Sequence, residues 1–374
     1  MRLSKVIIAP DSFKGAISSV RATEIIAAEI NAAFPNCEIV KMPIADGGEG
    51  SVETILAAIG GQVVKAQALS PDDRMIGAKF GIAASGAAIV EMAQSSGITR
   101  QDGLHPMTSS TYGFGQLIMA ALERGARDFN LCIGGSATTD GGCGMAAALG
   151  VLFYDKNGGS FVPCGGTLRE ITRIDAAGID ERVSGSSFTV MCDVDNPLFG
   201  INGAAYIYGP QKGASDEQVL LLDEGLRHLG AVLSENFSEN FANIPGAGAA
   251  GGLGAGCMAF LGASLMSGIE AMLKLCSFES HRAGTDLIIT GEGKLDSQSF
   301  SGKVLSGILQ QAGGIPVWSI CGVCECDETL LRSYDLTVFE ASEGVSIEES
   351  MREPEKYLRK AARRAVQRII SDGL

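Results

Sequence analysis

Short apolar runs that end in polar, glycine-containing loops constrain the fold of this chain more than any other feature. Residues 5–9 and 286–290 each predict a buried strand, and each is followed by such a loop and then by a helical pattern. A strand at 37–44 and a helix at 51–59 extend the first pattern. Alternating strands and helices predict a parallel sheet covered by helices. Because only the two chain ends show this pattern clearly, we expect one discontinuous α/β domain with a second domain inserted into it.

The predicted boundaries place the discontinuous domain at residues 1–80 and 276–374, and the inserted α/β domain at 81–275. Within the inserted domain, the apolar pattern predicts a strand at 129–133 and a long helix at 258–275. Ligands of open α/β sheets bind beyond the carboxyl ends of the strands. The functional residues are therefore expected in the loops that follow the strands.

The loop at residues 134–142 is rich in glycine and follows a predicted strand. Glycines let the backbone approach a ligand closely and adopt positive φ angles. Amides at the start of the next helix favour an anion, and a divalent cation would reconcile the Asp140 carboxylate with a phosphate. The alternative is a tight structural turn with Asp140 as a helix cap. On the first interpretation, the residues that bind phosphate and Mg²⁺ include Gly134, Gly135, Ser136, Thr138 and Asp140.

Charged side chains occupy several other loops at predicted strand ends. Phosphoryl transfer needs carboxylates that hold a metal, cations that neutralise the phosphoryl group and a base that takes the acceptor proton. The loops supply all three types. The acidic candidates are Asp46, Glu49, Asp193, Asp195, Glu292 and Asp296, and the basic candidates are Lys14, Lys212, Lys294 and Lys303.

The bulk composition excludes some partners. A net charge of −14 argues against nucleic acid and anionic membrane surfaces. The longest apolar stretches are too short or too interrupted to span a bilayer. Most of the ten cysteines lie in apolar runs, which indicates reduced thiols in a cytoplasmic protein. Cys321, Cys324 and Cys326 are spaced for a metal, but no second cluster completes a tetrahedral zinc site.

Two other classes of function stay open on these residues alone. A GxGxxG motif at 246–251 indicates an NAD(P)-dependent dehydrogenase of a small hydroxy acid, although the segment before it is a poor strand. A nucleotide-binding regulator without catalysis is the other alternative. The P-loop motif and the protein-kinase motifs are absent from the sequence, so a phosphotransferase would belong to neither common class.

Seven loops, considered together, resemble a known family. The loops PDSFKG, ADGGEG, GGSATTDGG, CDVDNP, GPQKGA, PGAGAAGGLG and TGEGKLD occur in this order. They closely resemble the bacterial glycerate kinase family, type 1, from Lys5 to the last helix. The resemblance implies ATP-dependent, Mg²⁺-dependent phosphorylation of D-glycerate, to 2-phosphoglycerate more often than to 3-phosphoglycerate. It also implies a flavodoxin-like domain from both chain ends and a central restriction-endonuclease-like domain.

The resemblance further implies roles for particular residues, in an active site in the cleft between the two domains. Lys14 would bind the substrate carboxylate or a phosphate. Asp46 and Asp193 would supply the base and a metal carboxylate, and the sequence does not separate these two roles. Asp140 would lie near Mg²⁺ as a second metal ligand. The other binding residues would be Ser12, Lys212, Glu292, Asp296 and Lys303, and the sequence leaves a homo-oligomer open.

Overall fold

The computed structural model describes residues 3–372 and divides the chain into two compact units. The first unit, here called the end unit, contains the residues up to Asp46, Ala57–Ile59 and the residues from Ile269 onward. The second, here called the central unit, contains Gly47–Leu56 and Gly60–Gly268. Each unit has its own main sheet.

The end unit is built on a five-stranded parallel sheet that joins the two ends of the chain. The strand near the N-terminus pairs directly with a strand from the C-terminal part, with Ile7 opposite Ile288. The inner strands are buried, as their continuous apolar runs predict. In spatial order the strands are Thr337–Glu340, Val317–Cys321, Leu287–Gly291, Lys5–Pro10 and Glu38–Lys41.

Helices cover this sheet and complete its core. The helix Ser19–Ala33 begins where the sequence predicts, because the Ser18 hydroxyl accepts a hydrogen bond from the Arg21 amide at 3.2 Å. Its apolar face packs with the C-terminal helix and with Trp318 of the sheet. The helical segments of the unit are Ser19–Ala33, Phe278–Arg282, Ser297–Phe300, Val304–Gln311, Glu328–Ser333, Ile347–Arg352 and Pro354–Asp372. Two further helices, Ser51–Ile59 and Gly268–Leu275, extend across the boundaries between the units.

The central unit has a mixed six-stranded sheet and a smaller three-stranded one. Four neighbouring strands of the larger sheet are parallel, and the two at one edge are antiparallel. In spatial order the larger sheet contains Ser264–Met266, Ser187–Met191, Asp128–Cys132, Ala88–Glu91, Met75–Ala83 and Gly61–Leu69, and the smaller contains Ser160–Phe161, Leu152–Tyr154 and Arg173–Asp175. The helical segments are Ala93–Ser96, Ile98–Arg100, Tyr112–Glu123, Cys143–Ala148, Gly165–Glu170, Glu181–Ser184, Ala204–Tyr208, Pro210–Lys212, Asp216–Phe237, Phe241–Asn243 and Ala249–Leu261.

The division between the units differs from the boundaries that we placed at residues 80 and 276. Strand Gly61–Leu69 pairs with Met75–Ala83 along its whole length, and the latter pairs with Ala88–Glu91. These strands are therefore part of the central sheet. Their alternating pattern indicates strands but not the sheet to which they belong, because pairing is a long-range property.

The long helix predicted at 258–275 is wrong. Helix Ala249–Leu261 ends at Gly262, which adopts φ +63°, a left-handed conformation typical of a helix end. Strand Ser264–Met266 follows, and a new helix, Gly268–Leu275, begins after it. The apolar residues around Gly262 continue the helical period and so conceal this break in the sequence.

Candidate functional site

A cavity of about 450 Å³ lies in the end unit at the carboxyl ends of its parallel strands. Strand Lys5–Pro10 leads directly into Asp11, and strand Leu287–Gly291 leads into Glu292. Strand Val317–Cys321 leads into Gly322, which also lines the cavity. This edge of a parallel sheet is where α/β proteins bind ligands, and the volume suits a small organic molecule.

Two carboxyl groups in this cavity have raised pKa values. Burial raises the pKa of Asp11, and the negative charge of Asp46 raises it further. Burial also raises the pKa of Glu292 to about 7, with a smaller contribution from Asp11. The backbone holds this arrangement: the Ser12 amide donates to Asp11 Oδ1 at 2.6 Å, and the Asp11 amide donates to the Gly291 carbonyl at 2.8 Å. Perturbed carboxyls in a cavity are candidates for proton transfer or cation binding.

Three exposed lysines, Lys14, Lys294 and Lys303, complete the polar part of the cavity. The ammonium group of Lys14 lies 3.8 Å from Asp46 Oδ2, and the Lys14 side chain is 80% exposed. The ammonium group of Lys303 lies 3.5 Å from Gln298 Oε1. The exposed ion pair of Lys14 is weak, and Lys303 contacts only a neutral amide, so both lysines can exchange these partners for a bound anion at little cost.

The opposite wall of the cavity is apolar. Ile17 and Leu358 are buried there, whereas Ile347 and Met351 of helix Ile347–Arg352 are 51% and 56% exposed. Exposed apolar side chains beside a polar pocket are typical of a ligand site that accepts an apolar group.

The structure brings together six of the residues that the sequence analysis singles out. Asp46, which is not a lining residue, joins them through its contact with Lys14. Asp11 lines the cavity as well, but the sequence analysis did not select it, although it follows a buried strand directly in the PDSFKG loop. Its position immediately after a buried strand is the sequence feature that could have identified Asp11. The six residues are Ser12, Lys14, Glu292, Lys294, Asp296 and Lys303.

The glycine-rich loop of the central unit is mostly buried, and its predicted role in binding phosphate stays a prediction. Gly135 is exposed and Gly134 half-buried, but residues 136–142 are buried. The loop packs under a second glycine-rich segment: the Gly141 amide donates to the Gly251 carbonyl at 3.1 Å, and the Ser136 hydroxyl donates to the Ala250 carbonyl at 3.2 Å. The glycines here permit close packing of two backbones.

Asp140 holds this loop in place. Its side chain has no exposed surface and accepts four hydrogen bonds from the chain. Burial raises its pKa, while these donors favour the charged form. The donors are the amide and hydroxyl of Thr111 and the amides of Gly142 and Gly144, at the start of helix Cys143–Ala148. In this geometry Asp140 holds a structural turn, and its role as a metal ligand stays a prediction.

Lys212 is buried against the same loop. Its ammonium group donates to the Thr138 carbonyl at 2.6 Å and to the Ser136 hydroxyl at 3.3 Å. Burial lowers the pKa of Lys212 to about 7, and the charge of Asp140 partly opposes this shift. Lys212 therefore binds the Thr138 carbonyl in this structure, and the phosphate-binding roles of Lys212 and Thr138 stay predictions.

Asp193 follows the central strand Ser187–Met191 and is exposed. Its Oδ1 accepts a hydrogen bond from the Gly268 amide at 2.7 Å. Residues 3–372 contain no group of three or more His, Cys, Asp or Glu side chains arranged to hold a metal, the cysteines at 321–326 included. Mg²⁺ usually takes only one or two carboxylates together with substrate phosphates and water, so an exposed carboxylate such as Asp193 fits that type of site.

Glu91 is a buried carboxyl that the sequence analysis did not single out. It ends strand Ala88–Glu91, and its Oε1 and Oε2 accept the amides of Gly50 and Val52 at 3.1 and 3.3 Å. These amides belong to the start of helix Ser51–Ile59, where a negative charge is favourable. Glu91 therefore fixes the end of the ADGGEG loop. In the sequence, a charged residue at the end of an apolar strand is the pattern that could have identified Glu91.

The GxGxxG motif lacks the structural context of a dinucleotide site. The residues before it form the short helical turn Phe241–Asn243, and not a strand. Gly246 instead approaches Leu265 and Cys192 closely, and an added Cβ would lie 2.8 and 3.1 Å from their side chains. The dehydrogenase alternative thus loses the feature that favoured it.

The parallel sheet of the end unit and the charged cavity at its carboxyl edge define an α/β protein with a small-molecule site. Residues 6–370 match the sequence model of the glycerate kinase family. The chain belongs to this family, which confirms the resemblance found in the seven loops.

Relatives of known name agree with this assignment. The chain is 39% identical to a glycerate kinase of Halalkalibacterium halodurans, over 96% of this chain and 97% of the relative. It is 41% identical to the glycerate 2-kinase of Escherichia coli, over 89% and 88% of the two chains. A crystal structure described as a glycerate kinase 2 from Salmonella typhimurium LT2 superposes with a TM-score of 0.88 at 34% identity and covers 99% of both chains. Glycerate kinases phosphorylate an alcohol group.

Proposed function

We propose that the protein is a glycerate kinase that transfers the terminal phosphoryl group of ATP to a hydroxyl of D-glycerate, with Mg²⁺ as cofactor. The family match across residues 6–370 is the observation that carries this proposal. The relative named glycerate 2-kinase favours 2-phosphoglycerate over 3-phosphoglycerate as the product.

The end-unit cavity has the chemistry that this reaction needs. Lys14 and Lys303 offer positive charge to the anions of both substrates. Asp11, Asp46 and Glu292 offer carboxylates that can accept the proton of the reacting hydroxyl or face a cation. Bound Mg²⁺ would neutralise phosphate charge, and Asp193 is our candidate ligand for it. The catalytic base is one of four carboxylates, namely Asp46, Asp193, Asp11 and Glu292, and the choice among them stays open.

The apolar wall of the cavity supports a proposed position for the nucleoside part of ATP. A volume of about 450 Å³ exceeds what a three-carbon acid needs and falls in the range of sites for larger organic ligands. Ile347 and Met351 present apolar surface that a flat base can cover. We therefore place the base against these side chains and the phosphates toward the lysines.

Several finer expectations from the sequence stay predictions. They are a shared active site in a cleft, the flavodoxin-like and restriction-endonuclease-like descriptions of the two units, and a cytoplasmic location. Among residues 3–372, the structure contains no helix with the length and apolarity needed to cross a membrane.

The proposed function is tested by measuring ADP release with ATP, Mg²⁺ and D-glycerate. We expect release that depends on D-glycerate and falls to background when the acid is omitted or when the metal is chelated. L-glycerate serves as a matched substrate control. ADP release that is the same with and without D-glycerate, or oxidation of a hydroxy acid with NAD⁺, would contradict the proposal.

Glu292→Gln should change how activity depends on pH. With a pKa of about 7, Glu292 is neutral in acid and charged above that pH. If its carboxylate assists the reaction, kcat/KM of the wild type rises as pH increases through about 7, and the variant lacks this rise. The exposed Glu217→Gln should keep the wild-type profile. An unchanged profile in Glu292→Gln would exclude Glu292 from the titration.

Glu292→Gln is also expected to change how the stability of the folded protein depends on pH. Because the native pKa of Glu292 is raised, the folded protein holds this proton over a pH range in which the unfolded chain has lost it. The contribution of Glu292 to stability is therefore present in acid and is lost as pH rises through about 7. Tm measured on both sides of that pH should fall more for the wild type than for Glu292→Gln.

A further inference from the structure

Lys212 is a buried cation of the central unit that does not line the cavity described above. Only 2% of the residue is exposed, and its ammonium group donates to the Thr138 carbonyl at 2.6 Å and to the Ser136 hydroxyl at 3.3 Å. Both acceptors are neutral, and the charge of Asp140 favours the charged form of the lysine. Moving an ammonium group out of water is costly, so these contacts have to offset that cost.

A well-defined turn presents Lys212 to the glycine-rich loop at residues 134–142. The Lys212 amide donates to the Gly209 carbonyl at 3.0 Å and closes the helical turn Pro210–Lys212. Gly213 follows with φ +88°, and a Cβ there would lie 2.6 Å from the Cβ of Leu104. The backbone on both sides of the lysine is therefore fixed, and so is the point from which its side chain reaches the loop.

The ammonium group sets the direction of the Ser136 hydroxyl. A hydroxyl group has one proton and two lone pairs. Ser136 Oγ accepts from the Lys212 ammonium at 3.3 Å and from the Thr138 amide at 3.1 Å. Its proton is thereby directed away from the lysine, toward the Ala250 carbonyl at 3.2 Å and the Thr138 hydroxyl at 3.1 Å. The bond to Ala250 joins the glycine-rich loop to the second glycine-rich segment.

The Thr138 carbonyl is the second point at which Lys212 holds the loop. The 2.6 Å contact with the ammonium group is short, as hydrogen bonds from charged donors are. A Cβ at Gly251 would lie 2.0 Å from the same carbonyl oxygen, so the second segment packs directly against it. The carbonyl therefore lies between a cation and a closely packed backbone, and removal of the cation leaves a buried acceptor without this partner.

The accessible tip of the loop directly precedes these contacts. Gly135 is exposed and Gly134 is half-buried, and Ser136 follows them. The Gly134 amide donates to the Gly47 carbonyl at 3.0 Å, and the Gly135 carbonyl accepts the Ile98 amide at 3.0 Å. A backbone rotation at Ser136 would disturb both bonds. The position of the tip thus depends on the side chain that fixes Ser136.

We propose that Lys212 is a positioning residue, whose ammonium group is a built-in monovalent cation for the glycine-rich loop and acts on ATP only through that loop. This inference rests on the proposed function and on the predicted contact of Gly134 and Gly135 with the phosphates of ATP. Lys212 itself does not touch the nucleotide. Its charge holds Ser136 and Thr138, so that the backbone of the tip is already in position when ATP binds, and the cost of ordering it is avoided.

The role of the cation is tested without any activity assay, by thermal unfolding of Lys212→Ala in the absence of ATP. n-Propylammonium chloride supplies the missing part of the side chain with its charge, whereas 1-propanol has a similar size and no charge. The measurement is made at about pH 6, where Lys212 of the wild type is charged because burial lowers its pKa only to about 7.

We expect Lys212→Ala to have a lower Tm than the wild type and to regain part of the loss in n-propylammonium but not in 1-propanol, each compared with the wild type in the same additive. If the variant is unfolded without additives, folding induced by n-propylammonium alone is the supporting result. A Tm equal to that of the wild type, or the same response to both additives, would overturn the proposal.

The effect on ATP is measured with Lys212→Met, which keeps most of the side-chain volume and removes the charge. We expect KM for ATP to rise about tenfold and KM for D-glycerate to change by less than about twofold. Lys156→Met, at an exposed lysine of the central unit, is the control and should match the wild type. Adding Ser136→Ala to Lys212→Met should raise KM for ATP no further, because the two side chains act as one unit.

Three kinetic results would contradict the positioning role: an unchanged KM for ATP, equal rises for both substrates, or a further rise in the double variant. The last of these is the result for a lysine that contacts ATP directly. If the wild type releases no ADP with D-glycerate, the proposed function fails, and the thermal test still decides whether Lys212 is the cation of the loop.

Discussion

Replacing Lys14 with Met is expected to lower kcat/KM for the phosphorylation of D-glycerate about a hundredfold, with the fold unchanged. Lys14 lines the cavity, is 80% exposed and is held only by a weak pairing with Asp46 at 3.8 Å. Its charge contributes little to folding, so it is available to a substrate anion. Met retains the length and apolar volume of the side chain and removes only the cation.

Lys41→Met is the matched control for this variant. Lys41 is also an exposed lysine of the end unit in an ion pair, at 2.9 Å from Glu24, but it does not line the cavity. We expect this control to keep full activity, and Lys14→Arg to retain more activity than Lys14→Met because it keeps the charge. Equal activity of Lys14→Met and Lys41→Met, measured by ADP release, would remove Lys14 from the site.

Gly251→Ala is expected to destabilise the central unit by more than about 4 kcal/mol, enough to prevent folding in a protein of ordinary stability. Gly251 adopts φ +74°, and a Cβ there would lie 2.0 Å from the Thr138 carbonyl oxygen. That carbonyl also accepts the buried Lys212 ammonium at 2.6 Å. The loop cannot move away without breaking this contact and the hydrogen bonds of Asp140.

Gly251→Ala is expected to destabilise the protein both through its positive φ and through its close contact with Thr138, and Gly262→Ala separates these two causes. Gly262 also has a positive φ, +63°, but an added Cβ would meet nothing within 4 Å. Its replacement should therefore cost only the left-handed conformation, about 1–2 kcal/mol. Thermal unfolding followed by circular dichroism distinguishes the two variants. If Gly251→Ala is no less stable than Gly262→Ala, the close packing of the two glycine-rich segments is not as described.

The sequence was sufficient to predict the parts of the fold that depend on local patterns. The buried runs at 5–9 and 286–290 form neighbouring parallel strands, and the Ser18 cap starts its helix as predicted. The same reasoning placed Lys14 and Glu292 at one edge of the sheet, because residues that follow parallel strands meet there.

The burial of the glycine-rich loop could not be predicted in the same way. Ser136 and Ala250 are 114 positions apart in the chain but are joined by a hydrogen bond. Both segments are rich in glycine, and glycine permits either close approach to a ligand or close approach to another backbone. Only the tertiary structure decides between these, and here it shows that residues 136–142 pack against the chain itself. Lys212 is a similar case, because its sequence context does not reveal that its ammonium group is buried.

The most direct test of the proposed activity is phosphorus NMR of the products formed from ATP, Mg²⁺ and D-glycerate. We predict a new phosphomonoester signal that is split by a single hydrogen, as expected for phosphate on the central carbon of 2-phosphoglycerate. A signal split by the two hydrogens of a CH2 group would indicate phosphate on the terminal carbon and correct the product. If ATP yields only ADP and inorganic phosphate, or does not react, the protein is not a glycerate kinase and the account is contradicted.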